Sequence, residues 1–229
     1  MQITKTLIAT TALMILMPGL ACAADSNPPP PPPHHNQGSE ILNGQVDFQS
    51  QAANLNTTIK NVGGDVSGQA VSAGNVLEAV TMQDTNVTNN QYVSGGVSLS
   101  SAVNANVKNV GGGVSLTSQA VCNSADVSTD PNTTKVYSNQ ECNAADPSAQ
   151  MNATIKGIGG DVSLATTAVG NTFSEDTNAP NAPVQNYQIN NAGTFATSNS
   201  TISNVGGAVS LSATAIGNNA QIVHYSTAP

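Results

Sequence analysis

From about residue 39 onward, apolar and polar positions alternate with the period of two that an extended strand requires. Val103, Ala105 and Val107 share one parity, while Asn104, Asn106 and Lys108 take the other. Beyond the next glycines, Val114, Leu116 and Ala120 keep to one parity with Ser115 and Thr117 opposite. The pattern predicts strand, turn, strand. It recurs without gaps in four nonapeptides, Ile59 to Ser67, Val107 to Ser115, Ile155 to Ser163 and Ile202 to Ser210. Their glycine pairs, Gly63 and Gly64, Gly111 and Gly112, Gly159 and Gly160, Gly206 and Gly207, recur with a period of about 48 residues. Each pair is expected to mark a structural turn, either a tight hairpin or a sharp β-arc, with the glycines supplying positive φ.

Each second strand runs into another recurring phrase, seen as Ser72 to Asn75, Ala120 to Asn123, Ala168 to Asn171 and Ala215 to Asn218. A second corner is expected there. The stretches that follow, residues 76–90, 124–149 and 172–185, are polar, carry Pro131, Pro147, Pro180 and Pro183 in the latter two, and differ in sequence, so they read as projecting surface loops. A half-unit, Tyr92 to Leu99, repeats the glycine phrase and suggests that every repeat holds two turns of one coil. The expectation is an all-β chain, a repetitive β-solenoid of four units of roughly 48 residues, around 54–75, 92–123, 150–171 and 197–223. Antiparallel hairpin repeats would use the same signals.

Composition favours such a stack. Apolar residues form 38% of the chain, but aromatics only 3%, with no Trp, so stability must come from many small side chains in layers and from backbone hydrogen bonds. The formal net charge is −8 and there is no Arg. Lys60, Lys108, Lys135 and Lys156 are scattered along the sequence, which argues against nucleic acid as a partner.

The first residues suggest export. Lys5 precedes an apolar run from Leu7 to Leu20, and Ala21, Cys22 and Ala23 resemble a signal-peptidase site, giving residues 1–23 as a signal peptide. Lipidation at Cys22 is the alternative. Residues 24–38, with Pro28 to Pro33 followed by His34 and His35, read as a stiff polyproline II linker, and two histidines alone do not make a metal site. The domain 39–229 then contains Cys122 and Cys142, expected to pair as one disulfide in an oxidising compartment.

Ala215 to Ala220, together with Asn123 to Ala125, is similar to the Gly-Asn-x-Ala core of curlin repeats. Over residues 54–223 the longer repeats, set behind an export signal, resemble the holdfast-anchoring surface proteins of stalked bacteria. The resemblance implies a subunit assembled outside the outer membrane, with self-assembly or another surface or outer-membrane protein as its partner. Curlin repeats also carry regularly placed Gln, which this chain is read as lacking: the Gln expected after Asn218 is absent, with His224 nearby.

Chemistry for catalysis is sparse. The histidines are His34, His35 and His224, no Ser-His-Asp spacing is visible, and the adjacent Glu175 and Asp176 read as solvated loop charge. Asp65 and Asp161 follow two of the glycine pairs and read as turn-stabilising acceptors rather than calcium ligands. The chain is therefore expected to be no enzyme and to need no cofactor. A binding module for a polysaccharide or a receptor is the other possibility, with Tyr92, Tyr137, Tyr187 and Tyr225 as candidate stacking surfaces. Rings exposed on one face would favour it; rings in an internal ladder would not.

Overall fold

The computed structural model describes residues 39–81, 85–129, 135–177 and 183–224. The expected signal peptide, Cys22, the proline linker with its histidines, and Tyr225 lie outside them. The described residues contain twelve strands: β1 (Ser39–Asp47), β2 (Gln51–Val62), β3 (Val66–Thr81), β4 (Thr85–Val93), β5 (Ser98–Val110), β6 (Val114–Thr129), β7 (Lys135–Cys142), β8 (Ala145–Ile158), β9 (Val162–Thr177), β10 (Val184–Asn190), β11 (Phe195–Val205) and β12 (Val209–His224).

These strands form three four-stranded sheets, ordered β1-β4-β7-β10, β2-β5-β8-β11 and β3-β6-β9-β12. Every pairing is parallel and joins residues one repeat apart, such as Val107 with Ile155 and Leu116 with Leu164. The chain is thus a β-solenoid of four coils, each made of three strands, one per sheet. The parallel ladders exclude antiparallel hairpins. They also correct the expectation of two turns per repeat, because one repeat closes one coil. The half-unit at Tyr92 to Leu99 is the corner between β4 and β5, where Gly96 has φ 84°.

The supposed surface loops 76–90, 124–149 and 172–185 are largely strand. They contain the far halves of β3, β6 and β9, most of β4, all of β7 and the start of β10. Their polar character misled the reading because this part of the interior is itself polar. Asn89, Gln91, Ser138 and Gln140 point inward and are buried.

The core is layered. Between the second and third sheets lie Val103, Val107, Val114, Leu116, Met151, Ile155, Val162 and Leu164. Between the first sheet and the far half of the third lie Val87, Val127, Val136 and Phe173. Along β6 burial follows 114, 116, 118 and 120 and then changes parity to 123, 125, 127 and 129. The strand therefore turns its corner at Val121 and Cys122, and although Cys122 drops out of the ladder the register is the same on either side of it, Val121 pairing with Val169 and Asn123 with Asn171. Phe173 fits because its column is Leu77, Ala125, Phe173 and Ala220, so small neighbours above and below make room for the one large ring.

The glycine pairs do sit between second- and third-sheet strands, but they are not the positions of positive φ. That conformation falls two residues before each pair, at Asn61 (58°), Asn109 (56°), Gly157 (70°) and Asn204 (56°). Asn is the non-glycine residue that tolerates this region best. The pairs answer to packing between coils. A Cβ on Gly111 would lie 2.7 Å from the carbonyl oxygen of Gly63, and one on Gly206 would lie 2.7 Å from that of Gly159. Gly159 bears the same relation to Gly111.

Candidate functional site

Three features of the solenoid can carry function: its internal ladders, its outer faces and its open end. The ladders come first because they set the register of everything else. Asn75, Asn123, Asn171 and Asn218 form one column, with Nδ2 of each donating to Oδ1 of the next at 2.9, 2.7 and 2.8 Å. The same Nδ2 groups also donate to backbone carbonyls of the first sheet, including Tyr92, Glu141 and Ile189. A second column, Gln45, Gln91, Gln140 and Gln188, donates in the opposite sense, each Nε2 to Oε1 of the preceding coil at 2.9, 2.8 and 2.8 Å. These glutamines correct the reading that regular Gln is missing. They occupy the first sheet rather than the position after Asn218, and their recurrence at the common period was the signal for them.

Cys122 and Cys142 are joined, with S–S 2.06 Å and Cα–Cα 6.0 Å. The bond is buried beside Val93, Val97 and Leu99 and ties the β6 corner to the end of β7. Asp65 Oδ1 accepts from the amide of Gly113 at 2.7 Å, and Asp161 Oδ1 from that of Ala208 at 2.8 Å. Both carboxylates therefore cap the coil above. No group of three or more His, Cys, Asp or Glu suited to a metal occurs among the described residues.

Glu175 corrects another expectation. It lies within β9, not in a loop, and its side chain is fully buried. His224 Nε2 is 3.5 Å from its carboxylate. Burial raises the Glu175 pKa above the ordinary 4.5, while His224 pulls it down and Asp176 adds to the rise.

The outer faces differ from one another. On the second sheet Lys60, Lys108 and Lys156 share one column, so three of the lysines that are scattered in sequence are stacked in space. The first sheet carries the rings. Tyr92, Tyr137 and Tyr187 all point outward, Tyr137 at 42% and Tyr187 at 57% exposure, near exposed Leu42 and Val46. A shallow cleft of about 360 Å3 opens there, lined by Glu40, Asn86, Thr88, Lys135, Tyr137 and Gln185.

The fourth coil is open. In β12, Val209 (48% exposed) and Leu211 (53%) point along the interior columns of Val162 and Leu164, and among the described residues no further coil covers them. From Val184 to Val223 the sequence has no Asp, Glu, Lys, Arg or Pro. Where coils one to three place Lys60, Lys108 and Lys156, coil four has Ser203. Natural sheet edges are usually blunted by charge, proline or a cover, and this one carries none of these residues.

By its fold the chain is a repetitive parallel β-solenoid, whose described residues present polar ladders, an aromatic face and an open fourth coil. The family model for HfaD, holdfast attachment protein D, matches residues 60–228, and the chain belongs to that family. No curated protein and no solved structure matches it.

Proposed function

We propose that this chain is a non-enzymatic structural element of holdfast attachment, exported to the cell surface, where it acts as a rigid solenoid anchored through its terminal coil. The uncapped fourth coil carries the reading: it presents unpaired strand edges and uncovered apolar columns, with no charge between Val184 and Val223 to deter pairing. Family membership supplies the setting. Deleting Val184 to His224 should leave an exported, β-rich chain that is no longer retained on cells. Full retention of that truncated chain would overturn the role of the coil.

A second reading has its own observation. The three outward tyrosines, with the cleft of mixed polar and apolar lining beside Tyr137, suit a glycan, whose rings present apolar faces and a rim of hydroxyls. In this reading the first sheet is the adhesive face. Replacing Tyr137 and Tyr187 by Ala should then abolish binding to surface polysaccharide while retention through the fourth coil persists. Unchanged binding would remove the reading.

A further inference from the structure

We propose that the open fourth coil is completed by the first coil of a second copy, in register, so that copies stack head to tail and every ladder continues across the junction. The proposal rests on the anchor reading above and names the occupant of its docking end. Three independent features of the chain point to it.

The first is the polarity of the ladders. In the asparagine column donation runs from coil one towards coil four, and it stops at Asn218, whose Nδ2 makes only a 3.4 Å contact to the Gln188 carbonyl. In the glutamine column donation runs from coil four towards coil one, which leaves Gln188 Oε1 without the donor that Gln45, Gln91 and Gln140 each receive from above. At the other end the complement is presented. Asn75 Oδ1 lacks the asparagine donor that its counterparts on coils two to four receive, and Gln45 Nε2 lacks the glutamine acceptor below. Stacking coil one on coil four would give Asn218 an acceptor in Asn75 and Gln188 a donor in Gln45. Both ladders match in sign. The exposed column of Asn56, Asn104, Asn152 and Asn199, which donates in the glutamine sense, matches as well.

The second feature is the pair Gly63 and Gly64. In coils two to four the paired glycines are required because a Cβ would strike the backbone of the coil below. In coil one a Cβ at either position meets nothing within 4 Å, and neither residue has positive φ. Nothing within the described chain requires glycine there. A coil lying below would require it, and under head-to-tail stacking that coil presents Gly206 and Gly207.

The third feature is the corner column Asp65, Gly113, Asp161 and Ala208, in which each Asp caps an amide of the coil above. Residues with and without a carboxylate alternate. Ala208 at the top leaves the position into which the Asp65 of a second copy continues the alternation. The same surface is heterologous, so the assembly has no closing contact and grows as a filament. Its axial repeat is four coils, about 19 Å at the usual strand spacing.

The test uses the exported chain in purified form. Gly63→Ala combined with Gly64→Ala is compared with Gly44→Ala, another site where a Cβ meets nothing but which faces outward from β1. Light scattering over a concentration series, with negative-stain imaging, reads assembly, and thermal melting at low concentration reads the fold. The wild type and Gly44→Ala should form end-to-end oligomers, whereas the double variant should melt like the wild type and stay monomeric. A double variant that assembles as well as the wild type, or a wild type that is monomeric throughout, overturns the proposal. A second measurement fixes the register. Glu78 and Gln221 are exposed and belong to one column, Glu78, Asp126, Ser174 and Gln221. With Glu78→Cys and Gln221→Cys in one chain, copies should crosslink under mild oxidation, because stacked neighbours lie about 4.8 Å apart, within disulfide reach. Val80→Cys with Gln221→Cys, two residues out of register, should crosslink far less, and equal crosslinking of the two pairs counts against the docking. If retention on cells still requires coil four while the glycine variant assembles normally, the anchor reading stands and the second copy is not its partner.

Discussion

Replacing Asn171 by Ala tests whether the internal amide ladder supports the fold or merely lines it. Asn171 is fully buried and takes part in three hydrogen bonds: it accepts from Asn123 at 2.7 Å and donates to Asn218 at 2.8 Å and to the Ile189 carbonyl at 2.7 Å. Each such bond contributes about 1 kcal/mol net, and a buried partner left unsatisfied costs roughly 1–3 kcal/mol. The Ile189 carbonyl loses its side-chain donor, and the Asn123 amide keeps only its bond to Glu141. The expected loss is therefore about 3–5 kcal/mol. Asn152 supplies the control. It stands on the exposed face of the second sheet, with bonds of 2.9 Å to Asn104 and 3.4 Å from Asn199, where water replaces what is lost. Asn152→Ala should cost well under about 1 kcal/mol. Urea unfolding followed by circular dichroism compares the two. Equal shifts in midpoint would refute the reasoning, because buried and exposed ladders would then be energetically alike.

Three further expectations follow from packing and charge. Gly159→Val should lower the melting temperature far more than Gly63→Val, since only the former meets a coil below; similar losses would return the glycines to a purely conformational role. Because burial raises the Glu175 pKa above 4.5, the folded state holds that proton more tightly than the unfolded state, and its contribution is greatest below pH 4.5 and is lost as pH rises through the folded value. Melting temperatures of wild type and Glu175→Gln should accordingly diverge on going from acid to neutral pH, in favour of the variant; a difference that does not change with pH would contradict the burial. Reducing the Cys122–Cys142 bond, which spans 20 residues, should cost roughly 3 kcal/mol in the chain-entropy picture. Mass measurement after alkylation without reductant should find neither thiol free.

Much of the solenoid was legible because its second sheet and the near half of its third sheet are apolar inside. Val103, Val107, Val114 and Leu116 announce their strands by alternation, and the glycine pairs announce the corner between them. The first sheet was not legible in that way. Its inward residues include Asn43, Gln45, Asn89, Gln91, Ser138 and Gln140, so an apolar period of two is weak there and the strands pass for loops. Hydrogen bonds to the stacked polar side chain one coil away, Gln to Gln in one column and Asn43 to Asn89 to Ser138 in another, are what make these residues suitable for the interior, and such bonds appear only when the repeats are compared with one another. Glu175 was misplaced for the same reason, as a polar residue in a stretch taken for loop. The positive φ was misplaced because glycine attracts that assignment, while the structure uses Asn61, Asn109 and Asn204 for the turn and reserves the glycines for close approach of backbones. The tyrosines could be named but not oriented, since parity along β4, β7 and β10 cannot be assigned until those strands are recognised.

The account depends on one repeat closing one coil, and distances between equivalent positions test this most directly. Asn56, Asn104 and Asn152 are exposed, stacked and one coil apart. Nitroxide labels placed in pairs at these positions should report backbone separations of about 4.8 Å for neighbours and about 9.6 Å for Asn56 with Asn152. Separations near twice those values, as two turns per repeat or hairpins laid side by side would give, would contradict it.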